Sequence, residues 1–238
     1  MDPQTLQAAN RDVDKAPPAP LQDCKDVVHL AFFFDGTGNN LQVDNAEKKW
    51  SNVARLFMSA RNEPSQGIYR IYIAGVGTRF NGEVGALRSA WTWVQDNTAG
   101  NFGGAGGDQR MDYGQEQMNE QLKKTLLNLA KKSNDEVKKF AKKNEAESFE
   151  ELNKALAKHR LIKYINISVF GFSRGAALAR SFTNRLAGTF KTDDHGGHTL
   201  QGYPVRLVFQ GIWDTVASFG LPTLNTNLPW CDRGVDPI

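Results

Sequence analysis

The segment Gly171-Phe-Ser-Arg-Gly175 has the residue types and the spacing for nucleophilic catalysis. An apolar, β-branched run (163–170) precedes it, and apolar residues at helical spacing follow it. A G-x-S-x-G segment between a strand and a helix is typical of a nucleophile elbow, where a sharp turn exposes the serine hydroxyl. The pattern predicts Ser173 as a nucleophile and the backbone N–H of Arg174 as an oxyanion donor. The alternative is a glycine-rich turn with an idle serine.

A second polar stretch, Asp35-Gly-Thr-Gly-Asn-Asn40, follows the continuous apolar run 26–34. Such a run is typical of a strand buried in a parallel sheet, and glycines just past its end mark the functional rim. The backbone N–H groups of Gly36 or Thr37 are therefore candidates for the second half of the oxyanion hole. Asp35 is an alternative nucleophile, of the kind that begins aspartate-based phosphatases. That motif needs a carboxylate two residues on, where this chain has Thr37.

Asp214 ends another apolar run, 204–213. It is predicted to lie on the same rim as Ser173, because the carboxyl ends of parallel strands share one edge. The chain order, serine before aspartate, agrees with an α/β-hydrolase triad, in which histidine comes last.

The elements between these stretches alternate between strand and helix. Residues 68–74 form a predicted strand that ends in Gly75-Val-Gly-Thr78, and Asn45 or Ser51 can cap a helix before it. Right-handed crossovers then predict an α/β fold, namely an α/β-hydrolase-like parallel sheet flanked by helices. We expect residues 1–22 to be a disordered arm and 23–238 to be the catalytic domain. A helical insertion spans about 111–160, and the glycine run 101–107 before it is predicted to be a loop.

Composition excludes several other classes of protein. A net charge of +3 without a compact basic stripe argues against nucleic-acid binding. Cys24 and Cys231 belong to no metal-ligand motif, and the sequence 192–198, with two histidines and two aspartates, matches no metal spacing and is predicted to be a surface loop. The lysine-rich stretch 131–143 is interpreted as a solvated helix face, with an anionic lipid surface as the alternative. The amino terminus shows no secretory signal peptide, so we expect synthesis in the cytoplasm.

Five motifs together resemble the catalytic domain of type VI secretion lipase effectors, family 1. They occur in order along nearly the whole predicted domain: Phe34-Asp-Gly-Thr-Gly-Asn39, Asn52-Val-Ala-Arg-Leu56, Gly75-Val-Gly-Thr78, Phe170-Gly-Phe-Ser-Arg-Gly-Ala176 and Gly211-Ile-Trp-Asp-Thr-Val216. The resemblance implies an antibacterial phospholipase of the A type that needs no metal or organic cofactor. It implies Ser173 as nucleophile, Asp214 as the residue that orients the histidine, and Arg174, Gly36 and Thr37 around the oxyanion.

The same resemblance implies the partners. These are a phospholipid substrate at a membrane surface, a spike or tube protein as carrier, and a cognate immunity protein. Delivery would be by the type VI machinery into the periplasm of a target cell.

The histidine of the triad is the point at which the sequence departs from the family. No histidine follows Asp214, and the four in the chain are His29, His159, His195 and His198. We therefore expect the chain to be the N-terminal portion of a longer protein whose C-terminal strands and histidine lie beyond it, leaving an apolar sheet edge at the 204–213 strand. The competing hypothesis, from another class, is a catalytically silent α/β-hydrolase-like binding module.

Overall fold

The apolar runs of the sequence form the central strands of a sheet. The computed structural model of the protein describes residues 26–45, 48–78, 105–133, 135–145, 147–156, 161–192 and 196–216. The strands are β1 (Asp26–Phe34), β2 (Ile68–Ile73), β3 (Ile162–Phe172), β4 (Lys191–Thr192), β5 (His198–Leu200) and β6 (Tyr203–Trp213). The helices are α1 (Leu41–Asp44), α2 (Asn52–Ser59), α3 (Ala105–Lys132), α4 (Asp135–Lys143), α5 (Phe149–Leu156) and α6 (Arg174–Ala187), with a 3-10 turn at Pro64–Gln66. The predicted arm 1–22 and both cysteines lie outside the described residues.

Within the described residues, six strands form one mixed sheet in the order β2-β1-β3-β6-β5-β4. The strands β2, β1, β3 and β6 are parallel, as predicted, whereas β5 and β4 are antiparallel. The prediction of a wholly parallel sheet is therefore wrong at this end, and part of the 192–198 stretch forms strands instead of a loop. The physical reason is the turn at Gln201 and Gly202, whose φ values of 50° and 90° suit a two-residue antiparallel hairpin.

The pleat of β1 distributes its phenylalanines between the two faces of the sheet. Phe32 and Phe34 contact Phe182 of α6, with ring centroids 4.8 and 5.2 Å apart. Phe33 points the other way, against Phe57 of α2 at 5.6 Å and Phe170 of β3 at 4.8 Å. Because side chains alternate along a strand, one apolar run supplies two packed layers, which places β1 at the centre of the fold.

Helices α3, α4 and α5 lie in the region where the sequence predicts helices, but the predicted loop before it is partly helical. The helix α3 begins at Ala105 and includes Gly106 and Gly107, which were predicted to lie in a loop. Both glycines are buried, and the carbonyl of Gly106 accepts a 2.9 Å hydrogen bond from Arg110, so tertiary contacts override the low helix propensity of glycine.

The lysine-rich stretch lies on an exposed surface. Helix α4 buries Val137 and Ala141, while its lysines face solvent. In the part of the chain that the structure describes, no helix is long and apolar enough to cross a bilayer.

Beyond Pro204, the outer edge of β6 pairs with no described strand. Val208 is 56% exposed, Phe209 52% and Trp213 47%. An apolar strand with an open edge is normally covered in a folded protein.

Helix α6 starts in direct contact with the end of β1. A Cβ on Gly175 would lie 2.5 Å from the carbonyl oxygen of Phe34, and the carbonyl of Asp35 is closer still. A Cβ on Gly171 would lie 2.7 Å from the Cα of Ala176. Only glycine permits this approach, which brings the start of α6 to the loop after β1.

We predict that Gly175→Ala destabilises the protein by about 3 kcal/mol, because the methyl group overlaps backbone atoms that cannot move independently. The matched control is Gly188→Ala at the other end of α6. Its Cβ would lie 3.4 Å from the nearest atom, the carbonyl oxygen of Arg185, and its φ of −65° suits any residue. Urea unfolding of both variants checks this, and equal stability of the two would contradict the packing argument.

Candidate active site

Ser173 lies on a sharp turn between β3 and α6. Its backbone has φ 56° and ψ −127°, a conformation that non-glycine residues rarely adopt and that costs about 1–3 kcal/mol. The backbone N–H donates to the carbonyl of Trp213 at 3.0 Å, and the carbonyl of Ser173 accepts from Val216 at 3.2 Å and from Ala176 at 3.0 Å. These bonds hold the strained strand-to-helix turn in place on both sides.

Asp214 follows directly on β6 and lies at the same edge of the sheet as Ser173. Phe172 and Trp213 are register partners in the parallel β3–β6 pair, so the next residue of each strand is the serine and the aspartate. Asp214 is exposed and has a positive φ of 49°. The structure thus brings together the two side chains that the sequence predicted on this rim.

The loop after β1 is organised by the side chain of Asp35, which is 1% exposed. One carboxylate oxygen, Oδ1, accepts from the backbone N–H of Gly36 at 2.7 Å and from the side chain of Asn39 at 3.4 Å. The other, Oδ2, accepts from the hydroxyls of Ser51 at 2.7 Å and Tyr72 at 2.6 Å. A buried carboxylate is tolerated because these donors replace its water. Asp35 is therefore engaged in the fold, which gives no support to its alternative role as a nucleophile.

Ser51 and Tyr72 extend this cluster to two further elements. Ser51 is the N-cap of α2 and accepts from the N–H of Ala54 at 2.9 Å, which agrees with one of the two predicted caps. The hydroxyl of Tyr72 accepts from the N–H of Leu41 at 3.0 Å. Burial, followed by the nearby Asp35 carboxylate, raises the pKa of Tyr72 well above its usual range, so this hydroxyl stays protonated and donates.

Thr37 lies at the exposed tip of the same loop, facing the elbow. Its hydroxyl accepts a hydrogen bond from Nε of Arg174, the residue after the predicted nucleophile. The loops that carry Gly36, Thr37 and Arg174 therefore meet.

The Gly75–Thr78 segment, which follows β2, is hydrogen-bonded to the loop after β1. The N–H of Gly38 donates to the carbonyl of Val76 at 3.0 Å, and the N–H of Gly75 donates to the carbonyl of Asn39 at 3.0 Å. The β1 loop and the β2 loop thus form one hydrogen-bonded unit.

Arg110 of α3 is fully buried and is hydrogen-bonded to the loop after β2. Its guanidinium donates to the carbonyls of Ala74 at 2.8 Å, Gly75 at 2.9 Å and Thr78 at 3.3 Å. Burying a charge is costly unless every donor is satisfied, and backbone carbonyls satisfy several of them here. Sequence reasoning missed this residue. The sequence does contain an indication of its burial. Arg110 is spaced four residues apart from Gly114, Met118 and Leu122 in turn, so it lies on the buried face of α3.

The described histidines lie at the opposite end of the sheet from Ser173. His29 is in the first half of β1, and Nδ1 of its ring lies 3.4 Å from Nδ2 of Asn166. Partial burial and then the charge of Arg206 lower the pKa of His29. His198 is on β5, beside the start of β6. His159 and His195 lie outside the described residues.

A cavity of about 300 Å³ is lined by Tyr72, Phe57 and Tyr113 and does not include Ser173. Across the described ranges, no three His, Cys, Asp or Glu side chains are grouped as metal ligands.

We predict that Ser51→Ala lowers the free energy of unfolding by about 1–2 kcal/mol, since it removes a helix cap. It also takes a donor from a buried carboxylate. Ser59→Ala, at the other end of α2, removes an exposed hydroxyl bonded to the carbonyl of Leu56 and should change stability by less than about 0.5 kcal/mol. Thermal and urea unfolding of the pair provides the measurement. A Ser51 variant as stable as the Ser59 variant would show that the cluster is not stabilising.

Two solved structures are similar to this chain. The crystal structure of an uncharacterised protein from Pseudomonas aeruginosa has 26% identity and a TM-score of 0.60, covering 92% of this chain and 33% of that one. The structure of the Tle1 effector bound to the VgrG spike of the type VI secretion system has 20% identity and a TM-score of 0.39, covering 86% of this chain and 42% of that one. The chain thus spans about a third of the first structure's length. No curated protein matches it.

A family model covers most of the described site. The model of the type VI secretion phospholipase effector Tle1-like catalytic domain matches residues 29–191, more than half of the chain. That range contains the β1 loop, the β2 loop and the elbow with Ser173. This chain belongs to the family of Tle1-like catalytic domains of type VI secretion phospholipase effectors.

Proposed function

We propose that the domain is a serine phospholipase of the A type, which hydrolyses the acyl esters of glycerophospholipids on an α/β-hydrolase sheet. The observation that carries the proposal is the backbone of Ser173, a non-glycine residue at φ 56° between a parallel strand and a helix. A fold that maintains this strain exposes one hydroxyl at the rim of the sheet. Membership of a phospholipase effector family supports the choice of lipid as substrate.

In the proposed reaction, Oγ of Ser173 attacks the acyl carbonyl carbon while a histidine accepts its proton. The tetrahedral oxyanion binds to backbone N–H groups of Arg174 and of the loop that carries Gly36 and Thr37. The Arg174 donor is at the amino end of α6, whose dipole favours negative charge. Collapse of the intermediate breaks the ester bond, and the histidine returns the proton to the leaving lysophospholipid. Water then hydrolyses the acyl-enzyme and releases the fatty acid.

Asp214 is the proposed residue that orients this histidine and stabilises its imidazolium form. We place the histidine outside the described residues, since His29 and His198 are at the wrong end of the sheet. The proposed site needs no metal or organic cofactor.

The biological setting follows from the family. We propose that the type VI machinery delivers the protein into the periplasm of a target cell, with a spike or tube protein as carrier and an immunity protein as antagonist. The solved Tle1 effector was determined bound to a VgrG spike, which is the model for the proposed carrier.

We predict that Ser173→Ala in the full-length protein lowers hydrolysis of phosphatidylethanolamine–phosphatidylglycerol vesicles by about 10³-fold or more, because no nucleophile remains. Ser65→Ala is the control, since Ser65 is exposed before β2, at the other end of the sheet. Release of fatty acid is the measurement. Equal release by wild type and the Ser173 variant would exclude serine catalysis, and no release by wild type would favour the silent binding module.

We predict that Asp214→Asn lowers kcat by about 10³- to 10⁴-fold, because the histidine loses the carboxylate that fixes its tautomer. Asp135→Asn on α4 is the control, as the Asp135 side chain is 90% exposed and forms only a surface ion pair with Lys138. Steady-state kinetics on a soluble ester gives both values. A kcat within a few-fold of wild type would remove Asp214 from the triad.

A further inference from the structure

We propose that the second oxyanion donor is the N–H of Thr37 and that the side chain of Arg174 positions it through the Thr37 hydroxyl. The inference rests on the proposed function and names which donor of the β1 loop acts and what holds it. It also assigns a role to the arginine of the elbow, whose side chain no part of the reaction described above requires.

The first step is the exclusion of Gly36. Its N–H donates to Oδ1 of Asp35 at 2.7 Å, and that carboxylate is 1% exposed. Turning this N–H towards a substrate would leave the buried carboxylate without one of its donors, which is unfavourable. The Gly36 amide is therefore occupied by Asp35 and is not the second oxyanion donor.

The second step concerns the next amide along the loop. Among the residues that the structure describes, none accepts a hydrogen bond from the N–H of Thr37. The neighbouring amides are engaged, since Gly38 donates to Val76 and Asn39 donates to Gly36, each at 3.0 Å. Thr37 thus carries the one N–H of residues 36–39 that is available to a ligand.

The third step is how this donor is held in place. Thr37 is exposed at the loop tip, and its hydroxyl is bonded to Nε of Arg174. The backbone N–H of Arg174 is the other proposed donor, so one side chain links the two halves of the oxyanion hole. We call this contact the Arg174–Thr37 latch. A hydrogen bond from a guanidinium is charge-assisted and directional, which suits it to fixing a loop tip.

Other contacts already fix the base of the β1 loop and the start of α6. Gly175 packs against the carbonyl of Phe34, so the start of α6 cannot shift relative to the end of β1. Arg110 and the Gly75–Thr78 loop support the β1 loop from below. The tip of the β1 loop, Thr37, is held by the hydrogen bond from the side chain of Arg174. Arg174 and the Thr37 hydroxyl are therefore positioning groups, and the Thr37 N–H is the proposed catalytic contact.

The test is Thr37→Val, which keeps the shape of the side chain and removes its hydroxyl, with Thr37→Ser as the matched control that keeps the hydroxyl. In the full-length protein, Thr37→Val should lower kcat on a soluble ester by about 10- to 100-fold with little change in KM, because the donor acts on charge that develops in the transition state. Thr37→Ser, which keeps the hydroxyl, should recover most of the kcat that Thr37→Val loses. Thr37→Val combined with Arg174→Gln should be no worse than the poorer single variant, since both remove one contact.

Amide hydrogen exchange of residues 36–40 gives a readout that does not depend on activity. Thr37→Val should speed exchange at the neighbouring Gly38 and Asn39 amides, which are hydrogen-bonded within the loop unit, because the loop tip opens more often. Exchange at these amides in Thr37→Ser and the global unfolding temperature of both variants should stay unchanged. Exchange that is unchanged in Thr37→Val would overturn the latch, whether or not the enzyme is active. If the wild type is active, three results would overturn the role of the latch in catalysis. These are an unchanged kcat in Thr37→Val, an effect of Thr37→Val on KM alone, and an equal loss of kcat in Thr37→Ser. A wild type without esterase activity would instead overturn the proposed function.

Discussion

The buried carboxylate of Asp35 is the interaction on which the geometry of the site depends. It sits at the end of the central strand and collects hydrogen bonds from its own loop, from the cap of α2 and from β2. Because a buried carboxylate left without donors is strongly unfavourable, its partners are held in one arrangement. The loop that reaches towards Ser173 is thereby fixed before any substrate binds, which is the condition for stabilising an oxyanion without reorganisation.

Two backbone features connect this ordered loop to Ser173. Gly175 lets α6 approach the end of β1 closely, and the positive φ of Ser173 turns the chain from β3 into that helix. The N–H of Ser173 donates to the carbonyl of Trp213 and its carbonyl accepts from the N–H of Val216, which ties the turn to the end of β6 beside Asp214. The strain of the elbow is therefore offset by contacts with two neighbouring strands.

Much of this arrangement could be predicted from the sequence, because it is encoded in local patterns. The apolar runs fixed the parallel strands, and the residues at their ends, Ser173 and Asp214, had to share a rim. The β4–β5 hairpin was not predictable in the same way, since its strands are short and polar and depend on the turn at Gln201. The roles of Tyr72 and Arg110 depend on contacts between elements far apart in the chain, which periodicity alone does not report. The predicted catalytic histidine is not among the described residues near Ser173.

The proposed function requires Ser173 to be an activated nucleophile. The most direct measurement is to incubate the full-length protein with a fluorophosphonate at neutral pH and to map the modified residue by peptide mass spectrometry. We predict a single adduct on the peptide that contains Ser173, formed far faster than on any other serine. An unmodified Ser173 in a folded protein, or an adduct on a different serine, would contradict it.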